Sequence, residues 1–160
     1  MLIKFIYTLF LALLVALFVG LGIDAFYPGP KAPQYPFELN QAKEGCQPTI
    51  EQQTLDKNFN VAQQKYLDES KSYNRNVSVI SLAAAILIMV ISLTMLKRIK
   101  MIADGMLLGG VFTTVYSIIR GVMSDSSQFR FLIVAVGLII ALVLGYIKFL
   151  RNKEEPTKIA

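Results

Sequence analysis

The stretch "GMLLGGVFTTVYS", residues 105–117, is apolar enough to lie in lipid, yet it contains three glycines, two threonines, a tyrosine and a serine. Gly105, Gly109, Thr113 and Ser117 recur every fourth residue, so on a helix they share one face of small side chains. Such spacing lets two helix backbones approach closely, and close packing is the main gain available to helices in lipid. The stretch therefore predicts a membrane helix that packs tightly on its neighbours.

This stretch belongs to one of four apolar blocks of similar length. The chain has 160 residues, of which 54% are hydrophobic and 17% charged, and its mean hydropathy is +0.53. The blocks are Phe5–Ile23, Val77–Leu96, Met101–Ile119 and Phe131–Ile147. As a helix, each block extends roughly 25–30 Å, about the thickness of a bilayer's hydrocarbon core. We therefore predict an all-α integral membrane protein with four transmembrane helices.

The charged residues predict how these helices are threaded. Lys4, residues 97–104 and residues 148–158 together contain eight basic and three acidic residues, a net charge of +5. The segments 24–76 and 120–130 contain eight of each. Because basic residues beside helix ends favour the cytoplasm, we expect a multi-pass protein of the cell membrane with both termini cytoplasmic. The basic excess thus indicates topology and contact with the lipid bilayer, and it does not indicate a nucleic-acid partner.

On this interpretation the chain divides into four parts. The first apolar block is longer than the core of a signal peptide, typically about 7–15 residues, so we expect it to be retained. The parts are residues 1–24, transmembrane helix 1; 25–49, a Pro-rich extended segment; 50–97, an amphipathic helix leading into transmembrane helix 2; and 98–160, transmembrane helices 3 and 4 with a basic tail. Residues 25–76 would then lie outside the cell.

The Pro-rich segment contains four prolines within nine residues: Pro28, Pro30, Pro33 and Pro36. Proline fixes φ and removes a backbone donor, so this segment is predicted to be extended and similar to polyproline II. Its simplest role is a stiff spacer that leaves the membrane. The alternative is a ligand for the aromatic groove of another protein.

An extramembrane helical segment is predicted between the first two transmembrane helices. Thr49 and Gln52 match a capping box, which predicts a helix from about Ile50. The polar residues 70–76 leave open whether this helix continues unbroken into the second apolar block or kinks there. Its apolar residues fall on one narrow stripe: Leu55, Phe59, Ala62, Tyr66 and Tyr73.

We call these five residues the contact stripe, because a stripe as narrow as a coiled-coil seam has to pack on another surface. The sequence is compatible with two partners for the contact stripe. One is the segment 37–46 of the same chain, which would fold back with Phe37 and Leu39. The other is the same helix of a second subunit, in which case the protein is a homo-oligomer.

Small-residue spacing recurs in two further blocks. The predicted helix-packing seam consists of Gly105, Gly109, Thr113, Ser117, Gly137, Ala141 and Gly145, and Ser78, Ser81, Ala85 and Ser92 form a similar face in the second block. Three interpretations remain open for it: packing within one bundle, self-association between subunits, or a pore. The possible pore-lining residues are Thr113, Thr114, Tyr116 and Ser117.

Nothing in the sequence proposes an enzyme. The chain has no histidine, and it contains no zinc-protease, nucleophile-elbow, phosphate-loop or CxxC motif, so we predict no catalytic, cofactor-binding or metal-binding residue. The lone Cys46 cannot form an internal disulfide. No charged residue lies near the centre of any block, which argues against an ion-coupled transporter. Arg120 and Arg130 flank the short outer loop and can reach lipid headgroups.

These observations favour a non-enzymatic interaction or assembly subunit that forms a homo-oligomer. The contact stripe and the small-residue faces are the surfaces through which subunits would meet. An oligomeric channel is the first alternative. The second is an accessory subunit of a larger complex with other membrane proteins.

Overall fold

The computed structural model of the chain describes residues 2–36, 49–94 and 99–147. These residues form four helices and no strand: α1 is Leu2–Phe26, α2 is Ile50–Thr94, α3 is Lys100–Val122 and α4 is Ser127–Gly145. All four are long and apolar enough to cross a membrane, which confirms the predicted number of candidate membrane spans. Phe37, Leu39 and Cys46, and the predictions made for them, lie outside the described residues.

The helix α3 lies at the centre of the bundle, and the other three helices pack on it. α1 is parallel to α3, since Leu11 lies beside Gly105 and Val15 lies beside Gly109. α2 and α4 are antiparallel to α3. The N-terminus and the α2–α3 connection therefore lie at one end of the bundle, and the Pro-rich segment and the α3–α4 turn lie at the other. Four consecutive membrane crossings would produce this arrangement.

The helix α2 continues unbroken through the polar residues 70–76. It begins with the predicted capping box, in which the Thr49 amide donates to Gln52 Oε1 at 3.0 Å and the Gln52 amide donates to Thr49 Oγ1 at 3.4 Å. Further along, the Asn74 and Asn76 side chains bond to distant residues and do not compete for the helix backbone. These tertiary bonds explain why poor helix formers do not interrupt α2 here.

At 45 residues, α2 is about 67 Å long, roughly twice the thickness of a bilayer core. The ends of α1 and α3 lie level with its middle, because Tyr27 contacts Tyr73 and Arg120 contacts Asn74. The N-terminal part of α2 therefore projects past the bundle. We call residues 27–36 and 50–73 together the stalk.

Candidate functional site at the junction of stalk and bundle

Residues 27–36 of the Pro-rich segment pack antiparallel along the contact stripe of α2. The Tyr27 ring stacks on the Tyr73 ring, with centroids 5.4 Å apart and an interplanar angle of 11°. At the other end, Tyr35 meets Phe59 edge to face at 5.0 Å. Eight polyproline residues extend about 25 Å and fourteen helical residues about 21 Å, so both contacts form without bending either element.

One glycine allows this close approach. A Cβ atom on Gly29 would lie 3.1 Å from Tyr73 Cε1, so a larger residue here would push the Tyr73 ring away. The Pro-rich segment is therefore a packed part of the stalk and does not act as a bare spacer. Its packing on α2 was not predicted from the sequence.

Among the residues that the structure describes, the partner of the contact stripe is thus the Pro-rich segment. Leu55, Phe59, Tyr66 and Tyr73 are half-buried, whereas Ala62 is exposed. The segment 37–46 lies outside the described residues, and a second subunit stays a prediction. The sequence offered one signal that we did not use, since aromatic residues at both ends of the proline run matched aromatic residues in the stripe.

At the base of the stalk, Arg120 brings together α2 and α3. Its Nε donates to Tyr116 Oη at 3.0 Å, and an Nη donates to Asn74 Oδ1 at 2.8 Å. Its guanidinium carbon also lies 5.7 Å from the Tyr73 ring centroid and 5.4 Å from that of Tyr116. Stacking on aromatic faces and directional hydrogen bonds both suit the planar guanidinium. We call Tyr27, Tyr73, Asn74, Tyr116 and Arg120 the junction.

Two further contacts fix the stalk, one from Lys71 to the α3–α4 turn and one from Tyr27 to Asn76 in the bundle part of α2. Lys71 Nζ lies 3.3 Å from an Asp125 carboxylate oxygen and 3.4 Å from one of Asp68. Hydrogen bonding to Asp125, and secondarily to Asp68, raises the pKa of Lys71 above its ordinary value, so the ammonium stays charged at neutral pH. Both ion pairs are exposed, so they orient the stalk more than they stabilise it. Asn76 Nδ2 also donates to Tyr27 Oη at 3.0 Å.

The residues of the predicted helix-packing seam pack against different neighbours. A Cβ on Gly105 would lie 2.7 Å from Leu11 Cδ2, and one on Gly109 would lie 2.7 Å from Val15 Cβ, so both glycines admit α1. Gly137 admits Ile118 of α3 in the same way, at 2.8 Å. By contrast, Ala141 is exposed, and no described atom lies within 4 Å of a Cβ on Gly145. Neither Ala141 nor Gly145 therefore admits a neighbouring helix among the described residues.

Two glycines of α3 that the sequence reasoning missed also admit neighbours. A Cβ on Gly110 would lie 2.5 Å from Met89 Cγ of α2. One on Gly121 would lie 2.8 Å from Ser78 Oγ and 2.9 Å from Ile133 of α4. These two glycines are eleven residues apart, about three helical turns, so their shared face could have been read from the sequence.

Reciprocal hydrogen bonds between Ser78 and Ser117 hold α2 against α3. Each hydroxyl donates to the backbone carbonyl of the other residue at 2.7 Å, and both serines are fully buried. Near the other end of the pair, Ser92 Oγ donates to the Ala103 carbonyl at 2.6 Å. Interhelical bonds from small hydroxyl side chains are a typical means of holding membrane helices together.

The possible pore-lining residues mostly face the packed interior of the bundle. Thr113, Thr114 and Ser117 are 1%, 7% and 0% exposed. The threonine hydroxyls donate to carbonyls of their own helix at 2.8 and 2.9 Å, and that of Ser117 donates to α2. Tyr116 points instead to the junction. A water-filled path through one chain would leave these hydroxyls exposed, so the geometry is that of packing.

A groove of about 560 Å³ lies between α1 and α3 and reaches the junction at Tyr116 and Arg120. Its walls are apolar and include Leu13, Leu17 and Phe112, while Asp24 and Arg120 lie at its junction end. Over residues 2–36, 49–94 and 99–147, no group of three or more acidic, cysteine or histidine side chains could hold a metal ion.

Comparison with known proteins adds no functional assignment. No protein-family model, curated protein or solved structure matches the chain.

Proposed function

We propose that the chain is a non-enzymatic interaction subunit of the cell membrane that assembles as a homo-oligomer through its stalk. The observation that supports this most is the stalk itself, an unbroken helix that contacts the Pro-rich segment at two places and projects past the four-helix bundle. In this proposal the bundle anchors the chain in lipid, both termini are cytoplasmic and residues 25–76 are outside.

The contact face we propose lies opposite the Pro-rich segment. Ile50 and Val61 are 83% and 61% exposed, and they are eleven residues apart, which places them on one side of the helix. Exposed apolar side chains on a helix in water favour burial against a partner, at about 1.5–3 kcal/mol for each fully buried residue. The partner we propose is the same face of a second stalk, since symmetric pairs of identical surfaces are the commonest oligomers.

Changing Val61 to Asp is expected to lower the particle mass toward that of a monomer, because a carboxylate would be buried at the contact. Light scattering of the protein in mild detergent, with detergent mass subtracted, measures this. Leu67→Asp is the matched control, since Leu67 is 46% exposed but lies on another side of the helix. A wild-type monomer would contradict the homo-oligomer and favour the accessory-subunit alternative, and solute flux in liposomes would favour the channel.

The same detergent preparation tests the two sides of the stalk helix independently, the side that contacts the Pro-rich segment and the proposed contact face. Phe59→Asp removes the ring that meets Tyr35, so trypsin should cleave faster after Lys31 in the Pro-rich segment. Particle mass should stay unchanged in this variant, because Phe59 does not belong to the proposed contact face. Val61→Asp should show the opposite pattern, with lower mass and unchanged cleavage at Lys31.

The proposed threading predicts which end of the bundle is reachable from outside the cell. In a Cys46→Ser background, Met123→Cys in the α3–α4 turn should react with an impermeant maleimide on intact cells. Ile99→Cys in the α2–α3 connection should react only after permeabilisation. The native Met123 and Ile99 side chains are both exposed, at 57% and 51%. Labelling therefore depends on which side of the membrane each position faces. Labelling of Ile99→Cys on intact cells would contradict the proposed orientation.

A further inference from the structure

The groove between α1 and α3 combines an apolar channel with two opposite charges at one end. Leu13, Leu17 and Phe112 line its length, and Asp24 and Arg120 lie where it meets the junction. From Leu13 to Asp24 is eleven helical residues, roughly 16 Å, close to the thickness of one leaflet, which is about half of a 30 Å bilayer core. An acyl chain of one leaflet therefore matches the groove in length.

The charge of Arg120 is only partly used inside the chain. Its guanidinium has five N–H donors, of which one bonds to Tyr116 and one to Asn74. No carboxylate of the described ranges lies within 4.0 Å of its nitrogens. Arginine with free donors at the surface of a bilayer is well suited to a phosphate group, which accepts two parallel hydrogen bonds from the guanidinium.

The carboxylate of Asp24 supplies the opposite charge at the same end of the groove. Asp24 is exposed, and it forms no ion pair with any residue of the described part of the chain. Arg120 already lies over the Tyr73 and Tyr116 rings, so these aromatic faces are not free to hold a quaternary ammonium. A primary ammonium suits Asp24 better than a quaternary one, because only the primary group can donate hydrogen bonds to the carboxylate.

One glycine keeps the groove open. No described atom lies within 4 Å of a Cβ placed on Gly20, which is part of the groove wall. The same is true of Gly22 on the same helix, but Gly22 does not line the groove. A larger residue at Gly20 would occupy the groove without displacing a neighbouring helix.

We propose that this groove binds one phosphatidylethanolamine molecule, with its phosphate on Arg120, its ammonium on Asp24 and one acyl chain along Leu13, Leu17 and Phe112. This inference rests on the proposed insertion of the bundle in a membrane. It goes beyond the proposed assembly function, because it assigns a defined lipid to a site that lies on α1 and α3 and not on the stalk.

Native mass spectrometry of the full chain, released from nanodiscs with equal amounts of phosphatidylethanolamine, phosphatidylcholine and phosphatidylglycerol of one acyl composition, tests the proposal. The wild type should retain phosphatidylethanolamine above the other two. Gly20→Leu should lower its retention about tenfold, as expected from filling the space of a bound chain. Gly22→Leu should leave retention unchanged. Equal retention of the three lipids, or of phosphatidylethanolamine by the two leucine variants, would overturn the site.

A second variant tests the headgroup without filling the groove. Asp24→Asn removes the partner of the ammonium, so the preference for phosphatidylethanolamine over phosphatidylcholine should disappear and phosphatidylglycerol should gain. An unchanged preference would overturn the assignment, and this variant decides the matter if circular dichroism shows that Gly20→Leu does not fold. Extraction at alkaline pH tests insertion separately. Release of the wild type would contradict the proposed membrane function, whereas equal lipid retention by an inserted protein would contradict the groove alone.

Discussion

Gly109→Leu is expected to separate α1 from α3 and to produce a large loss of stability in the bundle. A Cβ at Gly109 would already lie 2.7 Å from Val15 Cβ and 3.2 Å from the Ala12 carbonyl oxygen. Because the position of Val15 Cβ is fixed by the backbone of α1, the clash cannot be relieved by rotating a side chain. We expect the free energy of unfolding to fall by at least the 1–3 kcal/mol or so typical of overpacking.

Circular dichroism during thermal unfolding in detergent measures this loss. Gly145→Leu is the matched control, since nothing described lies within 4 Å of its Cβ position. That variant should unfold close to the wild type, apart from the small gain in helix propensity of leucine over glycine. Equal melting of the two variants would mean that α1 does not pack on α3 through Gly109.

Ser78→Ala is expected to have the next largest effect, because it removes a buried bond between two helices. The Ser117 carbonyl would lose the hydroxyl that donates to it at 2.7 Å, and Ser117 Oγ would lose its 3.3 Å neighbour. The Ser117 carbonyl keeps the hydrogen bond that it accepts within α3, so the expected loss is that of one interhelical hydrogen bond, about 0.5–1.5 kcal/mol. The double variant with Ser117→Ala should be non-additive, since the two residues share one network.

Ser81→Ala provides the comparison. Ser81 is as buried as Ser78 and lies on the same helix, but its hydroxyl donates only to carbonyls of α2, at 2.7 and 3.1 Å. Its replacement should therefore change the unfolding free energy measured by denaturant titration much less. If both serine variants lost the same stability, the bonds between α2 and α3 would contribute nothing beyond packing.

The helices themselves could be predicted because their causes are local. Apolar blocks of 17 to 20 residues match the thickness of lipid, and the capping box fixes the start of α2 through residues three apart. Gly105 and Gly109 were also predicted as packing residues from their spacing. Which helix each glycine admits could not be predicted, since that depends on where α1 and α2 lie around α3.

The junction could not be predicted because its contacts join residues far apart in sequence. Arg120 and Asn74 are 46 positions apart, and Asn76 and Tyr27 are 49 apart. Local propensity made residues 70–76 look like a weak point of the helix, yet those polar side chains find tertiary partners. The extended conformation of the proline run was similarly predicted from its lack of backbone donors. Where the run packs depends instead on the aromatic residues at its two ends.

The unbroken course of α2 has a mechanical consequence. Sharp bends in helices almost always occur at proline, at glycine or at an inserted residue, and α2 contains neither proline nor glycine in its 45 residues. A force on the stalk tip would therefore turn α2 as a single lever, with the junction as its fulcrum. A tilt of about 10° would move the tip, some 35 Å away, by roughly 6 Å. The same rotation would strain the Ser78–Ser117 hydrogen bonds, which lie on the bundle side of the junction. A force applied to the stalk tip would therefore change the contact between α2 and α3 within the bundle.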